Sequence, residues 1–148
     1  RQAVMSNFVP GERGAILSIA GKIEHLHVLC TRQFFDPTRG RMSVVGVNVS
    51  SIKEGCIYDS TCVLQEGDHP FIKHSSYVRY QDAVAIGVDS ILAGIETGEI
   101  TVLQEFSSTV FQRVLDGFGK SEKTPRKILK ILRHLEQIEE NRAAPRET

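Results

Sequence analysis

A chain of 148 residues with 41% apolar content is long enough to bury one substantial core without disulfide or metal staples. Eighteen basic and eighteen acidic side chains cancel, which excludes a global electrostatic pull toward nucleic acid. No uncharged stretch is long enough to cross a bilayer, no leader-like apolar run opens the chain, and Cys30, Cys56 and Cys62 lack CxxC spacing. The expectation is a cytoplasmic protein, away from membranes, whose thiols are reduced and mostly pack.

In chain order, residues 14–20 (GAILSIA) read as a short strand closed by a Gly21-Lys22 turn. Residues 25–31 (HLHVLCT) alternate, with Leu26, Val28 and Cys30 on one side and His25, His27 and Leu29 on the other, the pattern of a half-buried strand. A loop at 36–40 leads to MSVVGVNVSSI (42–52), the firmest strand, with Val45, Val47 and Val49 on one face. Residues 60–64 form another strand, and the turn EGDHP follows, with Asp68 accepting from the backbone two residues on. Tyr77, Val78 and Tyr80 suit an extended segment; a strand over Val84–Ile86 and a brief helix over Asp89–Ala93 come next.

From Thr101 the period changes. Leu103, Phe106, Val110, Val114, Leu115 and Phe118 recur at helical steps, and Gly117 and Gly119 close that helix. Thr124 as N-cap and Pro125 at the first position open a last helix with the stripe Ile128, Ile131, Leu132, Leu135 and Ile138. Residues 141–148 are a polar tail. Six basic side chains between Lys120 and Arg133 face one acid, Glu122, and read as a local basic face or as an ordinary solvated helix surface. Strands first and helices last give an α+β fold, mainly β: a small curled sheet or barrel of SH3-like type with C-terminal helices. The division is a barrel domain with an appended helix over 1–119, then an amphipathic helix and tail over 120–148.

Residues 60–83 gather most of the chemistry. His69 and His74 bracket HPFIKH, with Phe71 and Ile72 as core anchors, and Ser76, Tyr77 and Tyr80 add donors and aromatic faces suited to stacked bases of single-stranded RNA. A histidine beside hydroxyls and Lys73 is what general acid–base chemistry on a phosphodiester requires, whereas Asp68 is explained by its turn. His25 and His27 share a strand face; such an H-x-H pair with a distant carboxylate or His69 would make a three-ligand metal site, with His69 that of a metal hydrolase, and the plainer reading is a polar strand face. GxSxG, P-loop and GxGxxG patterns are missing, which removes the hydrolase-elbow and nucleotide-fold readings.

Read in order, GAILSIAG, GKIEHLHVLCT, RMSVVGVNVSSI, FIKHSSYVRYQDAVAIGVDSIL and GEI…FQRVLDGFG resemble the successive elements of the MazF/PemK family of toxin endoribonucleases over roughly residues 12 to 119. The resemblance implies an SH3-like barrel and metal-free RNA cleavage with no cofactor. It places a basic residue near the second strand and a Ser or Thr at the end of the third: His25 (or Lys22), then Ser50 or Ser51, with Lys53 beside them. His27, His69, His74, Ser76, Tyr77 and Tyr80 would hold the substrate. The implied partners are single-stranded RNA, a cognate antitoxin of protein or RNA, and a second copy in a homodimer. One departure stands out: the family's arginine before the second strand is absent and His25 stands near its place, a change of charge and donor geometry. The rival reading is a non-catalytic SH3-like module that binds protein or RNA through exposed aromatics and its last helix.

Overall fold

A computed structural model describes residues 7–144. Eight strands form one antiparallel sheet: β1 (Ala15–Ala20), β2 (Ile23–Leu29), β3 (Phe34–Asp36), β4 (Arg41–Ser51), β5 (Val63–Leu64), β6 (Ser76–Val78), β7 (Val84–Gly87) and β8 (Ile100–Leu103). Three helices accompany it: α1 (Val88–Thr97), α2 (Ser108–Lys120) and α3 (Arg126–Ala143). The sheet order is β5-β6-β4-β2-β1-β8, with β3 and β7 also paired to β4.

The valine-rich β4 is the spine. Ser43 pairs with both Phe34 and Gly87, and Val49 with both Leu26 and Val78. The segments β2–β3 and β6–β7 are therefore two bent flanks, one on each edge of β4. Alternation then sorts the side chains. Leu26, Val28, Val45, Val47 and Val49 enter a large core with Val110, Phe111, Val114 and Phe118 of α2 and Ile128 of α3. On the reverse face Ile16, Leu29 and Val44 pack with Val88 and Ile91 of α1. Leu29 is thus buried although it sits opposite Leu26 and Val28, because α1 covers that part of the reverse face. Farther along the same face stand polar, half-buried residues: Ser18, His25, His27, Asn48, Ser50 and Tyr77.

The sheet is curled and is not closed into a barrel by backbone pairing. Its two edges meet through side chains instead. His69 follows β5, and its Nε2–H donates to the carbonyl of Gln104, just past β8, at 2.6 Å. The His69 ring also packs on Phe106 with centroids 4.4 Å apart. Arg113 of α2 bonds the Val63 carbonyl at 2.8 Å and pairs with Asp68 at 3.3 Å.

Local expectations shift in several places. Thr101 and Leu103 lie in β8, because the free edge of β1 offers a ladder from Ala15 opposite Leu103 to Ser18 opposite Ile100; the helix starts only at Ser108, where the Ser107 side chain accepts from the Val110 N–H. Gly117 lies inside α2 rather than ending it, since a Cβ there would collide with the Tyr80 ring and hydroxyl. The helix after β7 runs ten residues, ending at Gly98 with φ 85°. Pro125 is the cap residue of α3, and the Thr124 hydroxyl instead donates back to the Phe118 carbonyl. Asp68 accepts from the Gln65 N–H, three residues back rather than two on. Helix α3 continues into the expected polar tail as far as Ala143; residues 1–6 and 145–148 lie outside the described residues. Among the described residues no helix is long and apolar enough to cross a membrane.

Candidate functional site

The site arises where two strand pairs part. Pairing between β2 and β4 runs from Leu29 opposite Gly46 to Leu26 opposite Val49 and stops. Beyond it, residues 23–25 pair only with β1 (Ser18 opposite His25), and Ser50 and Ser51 pair only with β6 (opposite Tyr77 and Ser76). The β1–β2 arm and the β4–β6 arm thus form a fork. A cleft of about 820 Å³ fills it, completed by the loops at 53–58 and 70–74.

His25 stands on one arm and Ser50 and Ser51 on the other, with Lys53 just beyond. His74, Ser76 and Tyr77 also line the cleft. Ser76 is buried and its hydroxyl donates to the His74 carbonyl at 2.8 Å, so it shapes the loop that carries His74. Three other residues expected here lie elsewhere. His27 is still within the β2–β4 ladder, opposite Asn48, and its Nε2 is 2.9 Å from the Ser18 hydroxyl. His69 belongs to the seam between the sheet edges; its Nδ1 accepts from the Phe71 N–H at 3.0 Å while Nε2 is used on Gln104. Tyr80 is completely buried, its hydroxyl donating to the Val114 carbonyl at 2.7 Å and its ring edge-on to Phe118. These three are framework residues. With both His69 nitrogens engaged, the His25–His27–His69 metal reading loses its third ligand, and no cluster of three or more His, Cys, Asp or Glu suited to a metal exists among the described residues.

The structure adds residues that sequence reasoning missed. Arg79 lines the cleft, its Nη1 donating to the Tyr77 hydroxyl at 2.6 Å and its Nε to Asp82 at 2.6 Å. Tyr58 stacks obliquely on Tyr77, centroids 5.4 Å apart. Phe71 is 39% exposed and lines the cleft instead of anchoring the core, a task left to Ile72. Period two could have found Arg79: in Ser-Tyr-Val-Arg-Tyr, Tyr77 and Arg79 share one face, and Val78 and Tyr80 share the buried one. Tyr58 carried no local signal, because only the fold brings its loop beside β6.

The electrostatics separate cleft from framework. Burial pushes the His69 imidazole below its ordinary pKa, more than its bond to Gln104 raises it. Burial, then the charge of His25, lowers His27 in the same direction. Both are held as neutral, structural imidazoles. In the cleft, the bond and charge of Asp82 strengthen the protonation of Arg79, so it is a fixed cation. With Arg79 paired to Asp82, Lys53 and Lys73 against Glu24 leave the lining modestly positive, with Tyr58, Phe71 and Tyr77 as aromatic faces. Cys30 and Cys62 are buried, and burial raises both thiols; Cys56 is exposed at the cleft. Chemically, the arrangement offers an imidazole, hydroxyls, cations and stacking surfaces around one opening.

No protein-family model matches the chain, and no curated protein or solved structure matches it.

Proposed function

We propose that the cleft is the active site of a toxin-like endoribonuclease of the MazF/PemK type, acting in the cytoplasm on single-stranded RNA without a metal ion and restrained by a cognate antitoxin. The observation that carries this reading is the fork itself, which sets His25 across from Ser50 and Ser51 with Lys53, in a positive cleft with stacking tyrosines. A cleft positive on its walls attracts the phosphate backbone although the whole chain is neutral. Tyr58 and Tyr77 supply faces for unstacked bases.

In this mechanism His25 takes the proton from a ribose 2′-hydroxyl. The 2′ oxygen attacks the adjacent phosphorus, the bond to the 5′ oxygen breaks, and His74 returns a proton to that leaving oxygen. The products are a 2′,3′-cyclic phosphate and a 5′-hydroxyl. Lys53 and the hydroxyls of Ser50 and Ser51 stabilise the charge that builds on the non-bridging oxygens.

The test is cleavage of a fluorogenic single-stranded RNA by purified protein in the presence of EDTA, with chemical identification of the new ends. Cyclic-phosphate ends that disappear with His25→Ala and fall with the Ser50→Ala/Ser51→Ala pair support the reading. Absence of cleavage by folded wild type, or full activity of His25→Ala, sinks it. One observation favours the rival, a non-catalytic binding module: Ile23, Ile57 and Phe71 put exposed apolar surface on the cleft, which suits a protein segment better than a phosphate. The same assay separates the two.

A further inference from the structure

Helix α3 has a charged outer face that the cleft does not use. Its core stripe, centred on Ile128 and Leu135, points inward. Arg126, Lys127, Lys130 and Arg133 are all exposed. At 100° per residue these four fall within one arc of about 120°, opposite the buried stripe, and span about 10 Å of helix. Among the described residues none of them has an ion-pair partner.

That arrangement opposes local stability. The first turn of α3 holds no acid, so cations crowd the end where the helix dipole is already positive. Arg126–Lys130, Lys127–Lys130 and Lys130–Arg133 are like-charge neighbours at four- and three-residue steps, which repel. An ordinary solvated helix surface intersperses signs; this one collects a single sign and leaves it uncompensated. A bound polyanion removes the conflict.

Position says which polyanion. Tyr58 lines the cleft, and the next residue, Asp59, accepts from the Ser121 hydroxyl at 2.5 Å in the turn just before α3. The charge of Lys123 also acts on Asp59. The loop that carries Tyr58 is therefore bonded to the turn leading into α3, five residues ahead of Arg126. An anionic membrane surface fits less well, since α3 exposes no large apolar side chain to insert.

We propose that the outer face of α3 is a phosphate-backbone track that extends the hold of the cleft on single-stranded RNA; this rests on the reading of the cleft as an RNA site. Bases that enter the fork are held by stacking, while the strand continuing past Tyr58 is held only through its phosphates, without sequence preference.

The experiment uses the full chain and fluorescein-labelled 2′-O-methyl oligoribonucleotides, a tetranucleotide and a hexadecanucleotide, which lack the free 2′-hydroxyl and survive intact. Binding is read by anisotropy at salt concentrations from roughly 50 to 200 mM. Wild type is expected to bind the long strand at least tenfold more tightly than the short one. The Arg126→Gln/Lys127→Gln/Lys130→Gln/Arg133→Gln variant should lose that advantage and keep the tetranucleotide affinity. Its salt slope should fall by about 2 to 3, from about 0.7 per lost phosphate contact on a single strand. Far-UV circular dichroism checks that the variant is folded, and Glu136→Gln/Glu140→Gln on the same helix should not weaken binding. Equal affinity for long and short strands, or a variant that binds like wild type, overturns the inference. So does stripe-dependent binding to phosphatidylserine vesicles with none to the oligonucleotides. Stripe-dependent RNA binding with no cleavage of unmodified RNA supports the track and sinks only the catalytic reading.

Discussion

The sheet is interrupted in two places, and the two are handled in opposite ways. At the seam, where the segments after β5 and β8 meet without backbone pairing, His69, Asp68, Phe106 and Arg113 staple the edges together. At the fork, where β2 leaves β4 after the Leu26–Val49 pair, no comparable staple is built among the described residues and a cleft opens. Each place has a histidine beside it, yet one is buried with both nitrogens engaged and the other stands half-exposed on the cleft. The difference teaches how to weigh a polar residue in a small fold. A polar side chain that is buried and fully bonded is explained by the chain itself, while one displayed at a gap in the ladder keeps its hydrogen-bonding capacity free for water or a ligand.

Substituting one histidine at each gap breaks the comparison most directly. His25→Ala should lower RNA cleavage by about two to four orders of magnitude, the usual loss for a general base, and leave thermal unfolding within a degree or two of wild type. His69→Ala should do the reverse. It leaves the Phe71 N–H and the Gln104 carbonyl without their partner and a hole beside Phe106, a loss of about 2–4 kcal/mol in urea unfolding. Its turnover per folded molecule should stay near wild type. If His69→Ala abolishes cleavage in a protein that is still folded, the division into staple and site is wrong.

Tyrosines draw the same line with smaller effects. Tyr58→Ala removes a stacking face from the cleft and should weaken binding of single-stranded RNA by about 1–3 kcal/mol, without a change in stability. Tyr80→Phe removes the bond to the Val114 carbonyl in the core and should lower stability by about 1 kcal/mol, without a change in RNA affinity. Anisotropy titration and denaturant unfolding on both variants read the crossing directly. A Tyr80→Phe variant that binds RNA more weakly would put the core tyrosine back in contact with the site.

What the sequence made legible follows from how local each signal is. Alternation in β2 and β4 placed Leu26, Val28, Val45, Val47 and Val49 in one core, and the resulting curled sheet with C-terminal helices is the observed one. Helical periodicity in α3 was equally plain. The start of β8 was not, because Thr101 and Leu103 fit a helical period and only the distant edge of β1 makes them a strand. For candidate site residues the division is similar. His25, Ser50, Ser51 and Lys53 were singled out and share one cleft, since strand ends are where ladders part. His69 and Tyr80 were singled out for their chemistry, but partners 35 and 34 residues away in Gln104 and Val114 consume that chemistry. Residue type announces capacity; only long-range contacts show whether it is already spent.

The smallest effect tests the seam through its proton. Burial holds the His69 pKa below the ordinary value, so the native state resists a proton that the unfolded chain accepts near pH 6.5. Stability from this group is therefore whole above about pH 6.5 and is lost as pH falls through the depressed native value. The structure gives the reason: a proton on Nδ1 would point at the Phe71 N–H that Nδ1 now accepts from. His69→Phe keeps a ring against Phe106, loses both hydrogen bonds and cannot titrate. It should be less stable than wild type at about pH 7.5, with the gap in urea midpoint narrowing by about pH 5.5 as wild type gives up its advantage. His27, depressed in the same direction, is present in both proteins and cancels from the difference. A gap that stays constant across this range would mean that His69 takes its proton as easily in the folded chain as in the unfolded one, and the seam would then hold by packing alone.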